Sequence, residues 1–159
     1  MTRSMHFVFL STLVFAAACA PQPVDLAAAA DKLAKRDAEW SALAAAGQNA
    51  DTVASYWTTD AVLYPTGQPA IVGRSALRNY VAENFKLPGF KIQWTSDKPV
   101  LSPDGKMGYV PGNTTVTVPG PQGKPLTLYM HGISVWRVDA DGVWRCVVDI
   151  TNEAPAPKS

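Results

Sequence analysis

Few side chains in this sequence can act as acids, bases, nucleophiles or metal ligands at neutral pH. There are two histidines, His6 and His131, and two cysteines, Cys19 and Cys146. A Cys/His zinc site needs three or four such ligands, and a disulfide-stapled fold needs more cysteine in a shorter chain. No metal, no disulfide and no cofactor is therefore expected. No glycine-rich phosphate loop or nucleophile elbow occurs. Catalysis, if there is any, must rest on a carboxylate, and Asp149 is the leading candidate. Turned into an apolar pocket, its carboxyl would be pushed up in pKa and could serve as a general base. Its alternative role is structural, bonded to backbone or paired with Arg145 or Arg74. Asp60 is expected to cap a turn, and Arg74 to bind an anion or make a surface pair. His131 is read as a strand or interface histidine and Cys146 as an inert buried residue.

The rest of the composition narrows the class. The chain has 159 residues, 47% of them hydrophobic, with 14 Lys+Arg against 13 Asp+Glu. That suits one globular domain. So even a balance of charge argues against a nucleic-acid partner held by phosphate neutralisation.

The N-terminus reads as an export signal. Arg3 precedes the apolar run Phe7–Phe15, which is too short to span a bilayer permanently. Ala16-Ala17-Ala18-Cys19 then resembles a bacterial lipobox, with Cys19 as the lipidation site; ordinary cleavage after Ala18 is the alternative. The expected layout is a signal peptide over 1–18, a tether over 19–30, a domain over 31–152 and a disordered tail over 153–159. The expected location is the bacterial cell envelope, lipid-anchored and facing the periplasm, or periplasmic or secreted without the lipid. The membrane would be met only through that anchor.

The domain reads as helices followed by strands. Asp25 can cap a helix running to Ala46, with Leu26, Leu33, Trp40 and Leu43 at helical spacing and Gly47 as its stop. A short helix follows Asn49 or Asp51, then a strand over Ala61–Tyr64 ended by Pro65-Thr66-Gly67. Arg74–Phe85 reads as a third helix, stopped by Pro88-Gly89. From Phe90 the period becomes two: Phe90, Ile92 and Trp94 alternate with polar residues. Strands are expected over Lys106–Val118, Pro125–Val138 and Val143–Asn152, joined by turns at Gly120–Gly123 and Asp139–Gly142. This order means α+β with an antiparallel sheet.

Several strings carry a family resemblance: Trp57-Thr-Thr-Asp60-Ala-Val-Leu-Tyr-Pro65, Ile71-Val-Gly73-Arg74-Ser-Ala-Leu77, Val135-Trp-Arg-Val-Asp-Ala-Asp-Gly-Val-Trp144 and Val148-Asp149-Ile-Thr-Asn152. Their order resembles the nuclear-transport-factor-2-like superfamily, and within it the SnoaL-like subgroup catalogued as domain of unknown function 4440. The resemblance covers Leu33 to Asn152. It implies a cystatin-like α+β roll: a cone-like curved antiparallel sheet wrapped around N-terminal helices, enclosing a pocket. Such folds host isomerases, dehydratases, cyclases, hydrolases and non-catalytic binding modules, so fold does not settle function.

Hairpin pairing gives a map of faces. Tight turns would set Gly132 opposite Asp149, Ser134 opposite Val147, Tyr109 opposite Ser134 and Asn113 opposite Met130. Alternation then places Tyr109, Asn113, Thr115, Met130, Ser134, Trp136, Val147, Asp149 and Thr151 on one face. Val110, Val116, Tyr129, His131, Ile133, Val135, Trp144, Cys146, Val148 and Ile150 fall on the other. Hydrophobicity alone would turn the second face inward. The resemblance favours the first, because ketosteroid isomerases of this fold point a pocket acid inward from the position matching Ser134. On this map His131 and Asp149 cannot form a dyad.

The same comparison bears on chemistry. The positions matching the isomerases' base, oxyanion tyrosine and second acid are Tyr64, Trp40 and Ser134, so neither carboxylate remains and that mechanism is not expected. Three readings stay open. The first is a binding domain for a small, largely apolar molecule, expected as a homodimer, with Trp40, Tyr64 and Tyr109 as walls and Asn113, Ser134 and Asp149 as polar contacts. The second is a cyclase-, dehydratase- or hydrolase-type enzyme using Asp149 as base. The third is an envelope assembly domain with a vestigial pocket.

Overall fold

Helix α1 (Leu26–Ala46) starts where a cap is available: the Asp25 carboxylate accepts the Ala28 amide N–H at 2.9 Å. It ends at Gly47, whose φ of 64° is the left-handed turn that glycine adopts without strain. The protein is described over residues 24–157 in a computed structural model. The expected signal peptide, Cys19 and the first part of the tether lie outside those residues. Leu26–Ala30, at the other end of the expected tether, is the start of α1, as the Asp25 cap and the helical spacing predict; its alanines are the best helix formers. The expected tail is corrected, since the last strand continues through Glu153 and Ala154. Among the described residues no helix is long and apolar enough to cross a membrane.

The remaining elements are α2 (Ala50–Ala54), β1 (Trp57–Tyr64), β2 (Ile71–Val72), α3 (Arg74–Phe85), β3 (Lys91–Ser96), β4 (Val100–Leu101), β5 (Met107–Pro119), β6 (Pro125–Val138) and β7 (Trp144–Ala154). Asn49 caps α2 by accepting the Thr52 amide N–H. The strands form one open, curved sheet in the order β2-β1-β7-β6-β5-β3, with β4 added to β5. Among the described residues the sheet is antiparallel, as expected, with one exception: β7 returns from the far side of the meander and lies parallel to β1.

Two register features decide which side chains face inward. In the β5–β6 hairpin Tyr109 lies opposite Val135 and Asn113 opposite His131, one step from the expected pairing. The cause is the loop: a 3₁₀ turn at Pro121–Gly123 lets the first pair form at Pro119 and Pro125. A one-residue slip exchanges the faces of a strand. In β6–β7, Trp136 lies opposite Cys146 while Val135 lies opposite Val148, so Val147 has no partner on β6 and forms a bulge. The bulge lets Trp144 and Cys146 before it, and Asp149 and Thr151 after it, all point to the concave side. The expected placement of Trp144 and Cys146 on the opposite face from Asp149 is thereby corrected; both are buried.

The concave side carries the core. Leu33, Trp40 and Ala44 of α1 pack with Trp57 of β1, Leu77 of α3 and Trp136 of β6. Trp40 is its hub. Its ring meets Trp57, Trp94 and Trp136 edge-on at centroid distances of 4.9, 5.1 and 5.4 Å, arrangements that aromatic quadrupoles favour. Gly112 and Gly132 face each other across β5 and β6 on this side. A Cβ on Gly112 would stand 2.8 Å from the Thr95 carbonyl oxygen, so the sheet can close up only because that side chain is missing.

Candidate functional site

The helices do not fill the concave side of the sheet. A cavity of about 360 Å³ remains between α1, α3 and strands β1, β3, β5, β6 and β7. Its walls are mostly apolar, with Trp40, Trp57, Trp94, Phe85, Phe90 and Met130 among them. This is the size and character of a small-molecule pocket.

Asp149 lines it from β7. Among the described residues no donor bonds its carboxyl. The two arginines expected as its structural partners are engaged elsewhere: Arg145 bonds Asp139 and Asp141, and Arg74 Nε donates to the Trp57 carbonyl at 2.8 Å. Desolvation in the apolar cleft, with Asp37 nearby, pushes the Asp149 carboxyl up to about 7. It therefore holds both protonation states in useful amounts near neutral pH, as a general acid or base requires.

Asp37 is the residue that sequence reasoning passed over. It lies on the buried face of α1 between Leu33 and Trp40 and is only 1% exposed. Its carboxyl accepts a short hydrogen bond from Ser96 Oγ and another from Trp94 Nε1 at 3.3 Å. Burial raises its pKa and those two bonds work against the rise. The available signal was its place in the helical period, four residues after Leu33 on the face that must be apolar.

The other expected site residues divide. Trp40 is a cavity wall, fixed by its Nε1–H donating to the Val53 carbonyl at 3.0 Å. Ser134 also lines the cavity, but its hydroxyl is occupied: it accepts Trp136 Nε1–H at 2.7 Å and sits 3.4 Å from the Val110 carbonyl. Tyr64 is corrected to the outside. Ala61 and Leu63 are the buried residues of β1, so Tyr64 alternates outward and is 49% exposed. Tyr109 and Asn113 are corrected too, because the shifted β5–β6 register turns Val110, Gly112 and Thr114 inward in their place. Thr115 shares their correction. Asn113 Oδ1 lies 2.8 Å from His131 Nδ1 on the convex face, and Asp149 faces the cavity, so the two do not meet.

Asp60 does not cap a turn with its side chain; it pairs with Arg137. The Cys146 thiol is fully buried, and that burial, with Asp149 and Asp37 close by, raises its pKa well above the usual value. It stays protonated and unreactive. Among the described residues no group of three or more His, Cys, Asp or Glu is placed to hold a metal ion.

Comparison with known proteins agrees with this architecture. Residues 38–147 match the family model described as SnoaL-like domain. No curated protein matches the chain. Among solved structures, a ketosteroid isomerase-like protein from Erwinia carotovora atroseptica is 21% identical, with a TM-score of 0.64 over 79% of this chain and 98% of the other. An NTF2-like family protein from Streptomyces avermitilis is 16% identical, with a TM-score of 0.66 over 82% and 99%. An NTF2-like protein with a cystatin-like fold from Novosphingobium aromaticivorans is 14% identical, with a TM-score of 0.63 over 83% and 86%. At these identities the likeness is one of fold.

Proposed function

The chain belongs to the SnoaL-like domain family, and from that premise we propose that its cone binds a small, largely apolar molecule. The cavity of about 360 Å³ carries this reading. A domain whose pocket was a relic of assembly would fill it with its own side chains, since voids cost stability. Here aromatic and aliphatic walls converge on a few polar groups, among them the Asp149 carboxyl and the buried Trp57 Nε1–H, neither of which has a hydrogen-bond partner among the described residues. A second reading, that Asp149 serves as general base in a cyclase-, dehydratase- or hydrolase-type reaction, is favoured by that same free carboxyl held near neutrality. We place the chain in the domain of unknown function 4440 subgroup on the strings that end in Val148-Asp149-Ile-Thr-Asn152.

The same proposal covers where and how the domain works. Arg3, the Phe7–Phe15 run and Ala16-Ala17-Ala18-Cys19 support export to a bacterial envelope, with Cys19 as the lipid site. Two or more chains on that cysteine would hold the domain at the membrane, where one would not. Val100, Met107, Tyr109 and Ile133 form an exposed apolar area on the convex side of the sheet, which supports a homodimer formed through that face.

The test is a thermal-shift and tryptophan-fluorescence screen of the purified protein against a diverse apolar library. Trp40, Trp57 and Trp94 around the cavity make fluorescence a direct reporter. At least one compound should stabilise the fold and change the emission. A silent library would count against the pocket as a binding site. Native mass spectrometry reads the dimer, and Ile133→Asp should dissociate it.

A further inference from the structure

We propose that the cavity is built for a cation: a small lipophilic amine whose ammonium group sits at Asp149 and whose apolar body lies against the tryptophan walls. This rests on the ligand-binding reading above and specifies the ligand class.

The first argument is the sign of the lining. Asp37, Asp149 and Glu153 line the cavity, and no Lys, Arg or His is among the described residues that do so. Elsewhere the protein provides counter-charges readily. Asp51 is met by Arg78, Asp60 and Asp139 by Arg137, and Asp139 and Asp141 by Arg145. A desolvated carboxylate without partner is costly. The part absent from Asp149 is a cationic donor, and a ligand can bring it.

The second argument is the wall itself. Indole faces attract cations through their quadrupole, most strongly where water is excluded. Trp40, Trp57 and Trp94 line the cavity around one hub. An aromatic ring stacked on this hub already holds a cation: the Arg36 guanidinium lies 3.7 Å over the Tyr56 ring, and that ring is parallel to Trp40 at 5.8 Å.

The groups that face Asp149 fix the pH response. They are Asp37 from α1, Tyr80 from α3, and Cys146 and Glu153 from β7; β1, β3, β5 and β6 present no titratable side chain to the cavity. With Asp149 near 7, a cation should bind well only above that pH.

The experiment is calorimetric titration of the purified protein with three near-isosteric probes: 4-tert-butylbenzylamine, 4-tert-butylbenzyl alcohol and 4-tert-butylbenzoate. At pH 8 the amine should bind at least about tenfold more tightly than the alcohol, with the benzoate weakest. From pH 8 to pH 5.5 the amine's affinity should fall about thirtyfold as Asp149 takes its proton. Asp149→Asn should remove the amine's advantage over the alcohol. The pH comparison in the unaltered protein keeps the test independent of how that variant folds. An alcohol or benzoate that matches or exceeds the amine at pH 8 overturns the cation proposal and leaves the binding reading intact. No binding by any of the three overturns the cation proposal as well, and the binding reading is then decided by the library screen.

Discussion

Two groups of carboxylates in this domain are treated in opposite ways. At the β6–β7 hairpin Asp139 and Asp141 are surrounded by guanidinium: Arg137 Nε donates to Asp139 at 2.8 Å, and Arg145 bonds Asp141 through two nitrogens at 2.9 Å each. The Arg145 hydrogen bonds hold Asp141 down to about 2. In the cavity, Asp149 has no such partner and is raised to about 7. Both lie on or beside the same strand, a few residues apart. The hairpin pairs are what a fold does with acids when only stability matters. A bare acid in a cavity is an arrangement that folds accept chiefly at sites of binding or reaction.

The contrast has opposite signs in pH. Asp141, depressed, contributes stability that is present above about pH 4 and is lost as pH falls toward 2. Asp149, raised, is easier to ionise in the unfolded chain. Its effect is to weaken the fold as pH rises from about 4 through 7.

The variant with the largest expected effect is Asp149→Asn. Ionising Asp149 in the fold costs roughly 4 kcal/mol at pH 8, and an amide left without partners gives back about 2 of that. Asp149→Asn should therefore be about 2 kcal/mol more stable than the parent at pH 8 and no more stable at pH 5, by denaturant unfolding. A gain that is the same at both values would break the comparison, because the charge would not be its source. Next comes Arg145→Ala, which strips two carboxylates at once and should lower the melting temperature by about 2–4 °C. High salt should mask much of that loss, since the hairpin is exposed to solvent. The smallest effect is expected for Asp60→Asn. Its pair with Arg137 is exposed on both sides, and the melting temperature should move by about 1 °C or less. A loss comparable to that of Arg145→Ala would mean that Asp60 belongs to the hairpin cluster energetically.

The elements were legible because their signals are local. Asp25 and Gly47 bound α1, Arg74–Phe85 is α3, and Pro125–Val138 is β6 as the period of two predicts. The site was legible only in part, because inward and outward are set by turns and bulges. Trp40, Ser134 and Asp149 reach the cavity. Tyr109 and Asn113 were lost to one extra residue in the Gly120–Gly123 loop, whose 3₁₀ turn leaves no hydrophobic signature. Tyr64 was lost to motif matching, against the plain alternation of Ala61 and Leu63. Asp37 was missed because a charge on an apolar helix face looks like an interruption until its partners, Ser96 and Trp94, are known to lie about 60 residues away in sequence.

The unpaired Val147 has one more implication. It is a single residue of slack in the middle of β7. In an ordinary strand, deleting one residue exchanges every later side chain between core and solvent. Here the deletion would take up the slack instead: Trp144, Cys146 and Asp149 would fall on one side of a regular strand. The wall of the cavity is thus buffered against a change in chain length at the one position where such a change would otherwise be most damaging. A Val147 deletion that folds and keeps the parent's fall in stability from pH 5 to pH 8 would be the mark of that tolerance; a deletion whose stability no longer depends on pH in this range would show that Asp149 had left the cavity.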